Sequence, residues 1–185
     1  VSGSLALRAE TEDDVAAVRG VVEAAFGGPV VPELLDELRT SVAWLGLSFV
    51  AELDGEVVGH VAFTRAWVDD PAELVEVLVL SPMSIRPDVA GRGIGTALIL
   101  ESLEQLAGRD EPMVFLEGDP GFYSRLGFVQ AGMLGFRSPS DRIPSEAFQA
   151  RPLPGRPGHI SGALVYPDIW WRHDAVGLRP TAPVT

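Results

Sequence analysis

Apolar residues first recur at helical spacing: Val15, Val18, Val22 and Phe26. Thr11 followed by Asp14 is a variant capping box just ahead of that stripe. The pattern predicts a helix from about Glu12 to Ala25, ended by Gly27-Gly28-Pro29. Pro32 can open a second helix with Leu34, Leu35 and Leu38 on one side. A strand then reads from Ser48 to Leu53, Asp54-Gly55 is a favoured two-residue turn, and the return strand runs from Glu56 to Ala66. Leu74 to Leu80 is almost continuously apolar, as in a central strand buried on both faces. Ser81-Pro82 interrupts it. Proline donates no ladder hydrogen bond, so the strand should bulge or splay there.

A turn-rich segment, Pro87 to Gly93, precedes a helix that starts near Ile94 and carries Ala97, Leu98, Leu103 and Leu106. Met113 to Leu116 reads as a strand, and Gly118-Asp119-Pro120 opens a short helix that stops at Gly127. Eight of the 15 prolines fall in the last 49 residues, which excludes long helices there. Short strands remain, at Phe148 to Leu153 and Ile160 to Tyr166. The order α-α-β-β-β-α-β-α, then β segments, predicts one mixed α/β domain over residues 1–185, proline-rich from about residue 137.

Charge narrows the partners. Fourteen Lys+Arg against 26 Asp+Glu give a net charge of −12, which disfavours nucleic acid and anionic membranes. A local basic patch can still hold one phosphate group, and the acidity leans towards a cationic small molecule. With no cysteine, disulfides, thiolate metal sites and a cysteine nucleophile are excluded. No apolar run is long enough to span a membrane. The start, Val1-Ser2-Gly3-Ser4, lacks a secretory pattern and reads as a processed end or cloning remnant, so a soluble cytoplasmic protein is expected. His159 and His173 lack metal-ligand spacing and read as surface residues; no metal is expected. Trp44, Trp67, Trp170 and Trp171 either cover the core or line an acceptor site.

The most informative stretch is Arg86-Pro87-Asp88-Val89-Ala90-Gly91-Arg92-Gly93-Ile94-Gly95-Thr96, between a buried strand and a helix. Glycines let backbone N–H groups approach a ligand, and the helix start adds unpaired donors and a positive dipole end. That suits a phosphate or pyrophosphate, with Arg86 and Arg92 able to add charge-assisted bonds. A tight turn that binds nothing is the plain alternative. A dinucleotide fingerprint fits poorly, because the spacing Gly91-x-Gly93-x-Gly95 differs and a basic segment separates it from the strand.

Met83-Ser84-Ile85, Arg86-Pro87 and Gly91-Arg92-Gly93-Ile94-Gly95 ahead of an apolar helix resemble the acyl-CoA motif of the GNAT superfamily of N-acetyltransferases. Phe122-Tyr123-Ser124-Arg125-Leu126-Gly127-Phe128 resembles the same family's segment after the next strand. Gly59-His60-Val61-Ala62-Phe63, Ile143-Pro144-Ser145-Glu146-Ala147-Phe148 and Gly162-Ala163-Leu164-Val165-Tyr166-Pro167 resemble one branch of small bacterial members. The resemblance covers roughly Leu5 to Pro167. It departs at Ala90, where the family usually has Gln or Arg, and at Trp170-Trp171, where this branch more often has one Phe.

The resemblance implies a central, mostly antiparallel mixed sheet with a splayed strand, flanked by helices. It implies direct transfer of an acetyl group from acetyl-CoA, as co-substrate, to a primary amine of a small acceptor. Backbone groups of Met83, Ser84 and Ile85 would hold the pantetheine arm and the oxyanion, freed from sheet pairing by the splay. Arg86 and Gly91, Arg92, Gly93, Ile94, Gly95 and Thr96 would hold the phosphates. Tyr123 would be the general acid, its plain alternative being a packed aromatic; an unperturbed phenol titrates at about 10 and keeps its proton at neutral pH. The base stays open between Glu117, at a strand end, and His60, which is equally a structural histidine; a water chain could replace both. Asp119 suits a helix cap, and Glu76, if buried, needs a partner. A non-catalytic acyl-CoA sensor is the alternative function. Assembly stays open between monomer and homodimer, since strands near the tail could pair between subunits.

Overall fold

A computed structural model describes residues 3–154 and 159–179. Val1 and Ser2, and with them part of the processed-end reading, lie outside the described residues. In chain order the elements are β1 (Leu5–Ala9), α1 (Val15–Phe26), α2 (Val30–Thr40), β2 (Trp44–Leu53), β3 (Glu56–Asp69) and β4 (Leu74–Ile85). There follow α3 (Ile94–Gln105), β5 (Met113–Glu117), α4 (Pro120–Tyr123), β6 (Val129–Gln130), β7 (Phe136–Arg137), β8 (Phe148–Pro152), β9 (Gly162–Val165) and α5 (Asp168–Arg172).

The strands form one nine-stranded sheet, β1-β2-β3-β4-β5-β8-β6, with β9 bridging β3 and β7. Only β4–β5 and β7–β9 pair in parallel; the rest is antiparallel. This is the mixed, mostly antiparallel sheet that the sequence led to. The tail strands, which left pairing between subunits open, pair within the chain.

Alternation along the strands builds a core on each face. Leu78, Leu80, Val114 and Leu116 meet Leu98, Ile99 and Leu103 of α3 on one face. Val77, Val79, Met113 and Phe115 meet Leu34 and Leu38 of α2 and the tail's Tyr166, Ile169 and Trp170 on the other. Glu117 continues the second row.

Several boundaries shift for identifiable reasons. β1, absent from the sequence reading, is a five-residue edge strand, too short and too little buried to show a pattern. Its Arg8 grips Asp14 through both carboxylate oxygens (2.7 and 2.9 Å) and Glu52 at 2.8 Å. The Thr11 N–H and hydroxyl both donate to Asp14, each at 2.8 Å, so the capping pair forms, but over a 3-10 turn from Glu12 to Asp14 that leads into α1. α2 starts at Val30, with Pro32 inside its first turn. β2 starts at Trp44, four residues early, because Gly46 at φ +70° bulges the strand and breaks its alternation. β3 runs on to Asp69 because β9 takes over the edge that β2 leaves, with Trp67 opposite Val165.

β4 does not stop at Leu80. Leu80 faces Phe63 and Met83 faces Val61, so Ser81 and Pro82 together oppose Ala62 alone. The proline thus sits in a bulge, where no ladder bond is asked of it. On its other side β4 pairs with β5 only at Leu78–Val114 and Val79–Phe115. Both strands then continue, β4 to Ile85 and β5 to Glu117, without pairing to each other. That is the splay.

Phe115 anchors β5. It is fully buried between the edge of Phe136, 4.8 Å away, and the face of Phe148, 5.8 Å away. Phe115→Ala should therefore cost about 3–5 kcal/mol, read as a lower urea midpoint at unchanged slope.

Candidate functional site

The open edge of β4 can be resolved atom by atom. Arg86 N–H donates to Val58 O at 2.8 Å, across from β3. Antiparallel alternation then directs the backbone of Ser84 to its partner His60 and turns the N–H and C=O of Met83 and Ile85 away from β3, towards the strand that has departed. The expectation that all three residues are freed is therefore corrected. Ser84 remains bound in the ladder, while Met83 and Ile85 offer unpaired groups.

The side chains of Met83 and Ile85 lie under α3. A Cβ on Gly95 would stand 2.6 Å from Met83 Cε and 3.3 Å from Ile85 Cγ1, so a larger residue here would have to push the Met83 methyl aside for the helix start to rest on the strand end. Gly93 caps α3 in the left-handed region at φ +82°, and Gly91 adopts φ +76°. Both are exposed, as is Arg92, so the loop presents its backbone donors to solvent at the positive end of a 12-residue helix. Arg86 is occupied: its guanidinium meets Asp88 at 2.7 Å and Glu56 at 3.1 Å.

At the other side of the gap, Tyr123 packs edge-on to Phe122 (4.9 Å) and Phe128 (5.8 Å). Burial pushes its phenol up to about 12. Its ring lies so close to Gly118 that a Cβ there would meet Tyr123 Cε2 at 2.4 Å. Gly118 is itself held at both ends, its N–H donating to Ala147 O at 3.0 Å and its O accepting from Gln149 Nε2 at 3.1 Å. Buried Gln149, which the sequence reading passed over, thus fixes the residue between Glu117 and Tyr123. Asp119 accepts from Gly121 N–H at 2.8 Å and is a cap.

Glu117 looks into a cavity of about 510 Å³ between α2, the parted strands and the C-terminal segment. Its Oε1 accepts from the Tyr166 hydroxyl at 3.1 Å and its Oε2 from Gly177 N–H at 3.0 Å. Burial raises its pKa above the ordinary carboxylate value, although those two bonds and the charge of Arg142 oppose the shift. Trp170 and His173 line the same cavity, so His173 is no plain surface residue; it also meets Glu37 at 3.1 Å. The exposed Trp171 sits 6.0 Å from the guanidinium of Arg142. Glu76 is half-exposed and 2.9 Å from Arg65 Nε, so it is no buried orphan.

His60 does not join this group. It is fully buried on β3, with Nε2 2.8 Å from Ser48 Oγ and 3.4 Å from Glu10 Oε2. Ser48 gives its own hydroxyl proton to Glu10, which leaves its oxygen to accept from His60 Nε2, while Nδ1 has no hydrogen-bond partner among the described residues. Arg39 closes the cluster on Glu10 Oε1 at 2.5 Å. His60 is not among the described residues that line the Glu117 cavity; it sits in its own polar cluster with Ser48 and Glu10.

Comparison with known proteins gives the family and the fold. A family model described as an acetyltransferase (GNAT) domain matches residues 45–130. The uncharacterized N-acetyltransferase YjhQ of Escherichia coli K12 is 30% identical over 161 residues, covering 83% of this chain and 87% of that protein. The GNAT family N-acetyltransferase YhbS from Escherichia coli, solved in complex with CoA, superposes with a TM-score of 0.80 at 25% identity, over 93% of this chain and 94% of that one. A GNAT family acetyltransferase from Brucella melitensis, in complex with acetyl-CoA, gives a TM-score of 0.70 at 32% identity, over 90% and 98%.

Burial of His60 links stability to pH. Burial lowers its pKa, against the opposing bond from Glu10, with the charge of Arg39 acting in the same direction as burial. The unfolded chain therefore binds a proton that the folded chain refuses. Stability is complete above the unfolded value of about 6.5 and falls below it, with a limiting slope of about 1.4 kcal/mol per pH unit. Urea unfolding from pH 7 to pH 5 should show that fall in the wild type, and His60→Gln should flatten it.

Proposed function

Because the chain belongs to the GNAT superfamily of acetyltransferases, we propose that it moves an acetyl group directly from acetyl-CoA to a primary amine of a small acceptor. The observation that carries this reading is the placement of Glu117 and Tyr123 on either side of Gly118, at the end of the gap between β4 and β5. One group there can take a proton and the other can give one.

The residues fit the co-substrate. The donors of the loop through Arg92, Gly93, Ile94, Gly95 and Thr96 suit a pyrophosphate and need no particular side chain, which makes Ala90 tolerable. The unpaired backbone of Met83 and Ile85 suits an extended amide-bearing arm, and its N–H groups suit a developing oxyanion. Arg86, held by Glu56 and Asp88, contributes only if it exchanges those partners.

In the reaction a C–N bond forms and a C–S bond breaks. Glu117, made more basic by burial, accepts the proton that the protonated amine must lose before it attacks. A raised pKa suits a base that works near neutral pH. Tyr166 and Gly177 hold its carboxylate in place, each oxygen keeping a second lone pair. Tyr123 supplies a proton to the leaving sulfur and regains one from water. With its phenol near about 12 it stays protonated across the working range.

Tyr123→Phe should lower kcat by about 100-fold or more with acetyl-CoA affinity unchanged, measured by CoA release and by calorimetry. Glu117→Gln should cost kcat/KM a similar factor at neutral pH, and the loss should shrink as pH rises towards the amine's own pKa. In the wild type, kcat/KM should fall on the acid side of a pKa above the usual carboxylate range. Full turnover by both variants at every pH would remove both residues from the chemistry. Saturable CoA binding with no turnover on any amine would instead favour an acyl-CoA sensor.

A further inference from the structure

The walls of the Glu117 cavity carry more information than its floor. Resting on the N-acetyltransferase reading of this site, we infer that the acceptor is a primary amine borne on an apolar, uncharged body, such as an arylalkylamine, and not an amine that also carries a carboxylate or phosphate. Val30, Val31 and Leu34 of α2 form one wall, and Ile143, Trp170 and Leu178 form the other. The titratable groups that line it are Glu117, Tyr166, Asp174 and His173. Among the described lining residues there is no arginine, and the chain contains no lysine at all.

The cations near the cavity are already engaged. Arg142 donates to Val176 O at 3.1 and 2.7 Å and lies 3.6 Å from Asp174. Arg179 pairs with Asp174 at 2.6 Å, and Arg172 with Asp168 at 3.1 Å. An anionic substituent on the acceptor would therefore be desolvated against valine and leucine, without a free counter-charge and beside Glu117. A protonated amine meets the opposite situation. Glu117 and the chain's net charge of −12 attract it, whereas Asp174 is already paired with arginine. Nor can a lysine of this chain occupy the cavity, since all 14 of its basic residues are arginines.

The wall is built and not incidental. Gly177 adopts φ +63°, and a Cβ there would stand 2.7 Å from the Arg142 backbone. Only glycine lets the C-terminal segment pass Arg142 closely enough for its N–H to reach Glu117.

The test compares three amines in an acetyl-CoA-dependent CoA-release assay: 2-phenylethylamine, 4-(2-aminoethyl)benzoate and ethanolamine. The first two share one amine and differ by a carboxylate on the ring; the third lacks an apolar body. kcat/KM for 2-phenylethylamine should exceed that for each of the others by at least about 100-fold. Val30→Arg places a cation at the exposed rim of the cavity, where folding tolerates it. It should narrow the gap between the first two amines by about tenfold, while the melting-temperature shift with CoA stays as in the wild type. Equal or better turnover of the benzoate or of ethanolamine would overturn the inference and leave N-acetyl transfer standing. No turnover of any of the three, with the CoA-induced melting shift intact, would overturn the inference; the transferase reading falls only if a broad amine panel also gives no turnover.

Discussion

The parting of β4 from β5 is the constraint on which the rest depends. Two parallel strands pair for two residues, Leu78–Val114 and Val79–Phe115, and then separate while both remain extended. A sheet interior normally satisfies every backbone group along its length. Here the bulge at Ser81-Pro82 bends β4 and removes one donor at the point of divergence. What remains is an open strand edge inside the molecule, flanked by a helix start on one face and a cavity on the other. Neither feature would face the other across an intact sheet.

The two faces then divide the work. The α3 face supplies backbone: Met83 and Ile85 beneath Gly95, and the loop donors ahead of the helix. The α2 face supplies side chains: Glu117 on the cavity floor and apolar residues on its walls. Tyr123 stands at the junction, its ring against Gly118. Gly177 and Tyr166, from the same C-terminal segment that walls the cavity, both reach back to the Glu117 carboxylate and fix its position, while opposing the rise in pKa that burial causes. The placement of that carboxylate and the shape of the cavity are thus set by one piece of chain.

Much of this was legible in the sequence wherever one segment carried the information. The interruption of an apolar run by Ser81-Pro82 announced the splay, and the glycines from 91 to 95 announced the helix-start donors. The strand end put Glu117 forward as a candidate, and the motif around Tyr123 implied an acid by resemblance. What the sequence could not show was juxtaposition. Tyr166 and Gly177 lie 49 and 60 residues from the carboxylate they hold, and nothing local to either marks the contact. The difference between Ser84 and its neighbours depends on hydrogen-bond phase, which only the Arg86–Val58 bond fixes. His60 looked like a base because imidazole titrates near neutrality. Its enclosure by Ser48, Glu10 and Arg39 needed three other elements to be in place. Arg86 looked available until Glu56, 30 residues away, took it up.

The central claim is that the open edge of β4 receives the co-substrate through Met83 and Ile85, with Ser84 committed to the sheet. Amide hydrogen exchange, resolved residue by residue by NMR with and without saturating CoA, tests this most directly. The account predicts that the Met83 and Ile85 amides exchange quickly alone and become protected on adding CoA, while the Ser84 amide is protected in both states. CoA binding, evident from a melting shift, that leaves the Met83 and Ile85 amides unprotected would contradict it.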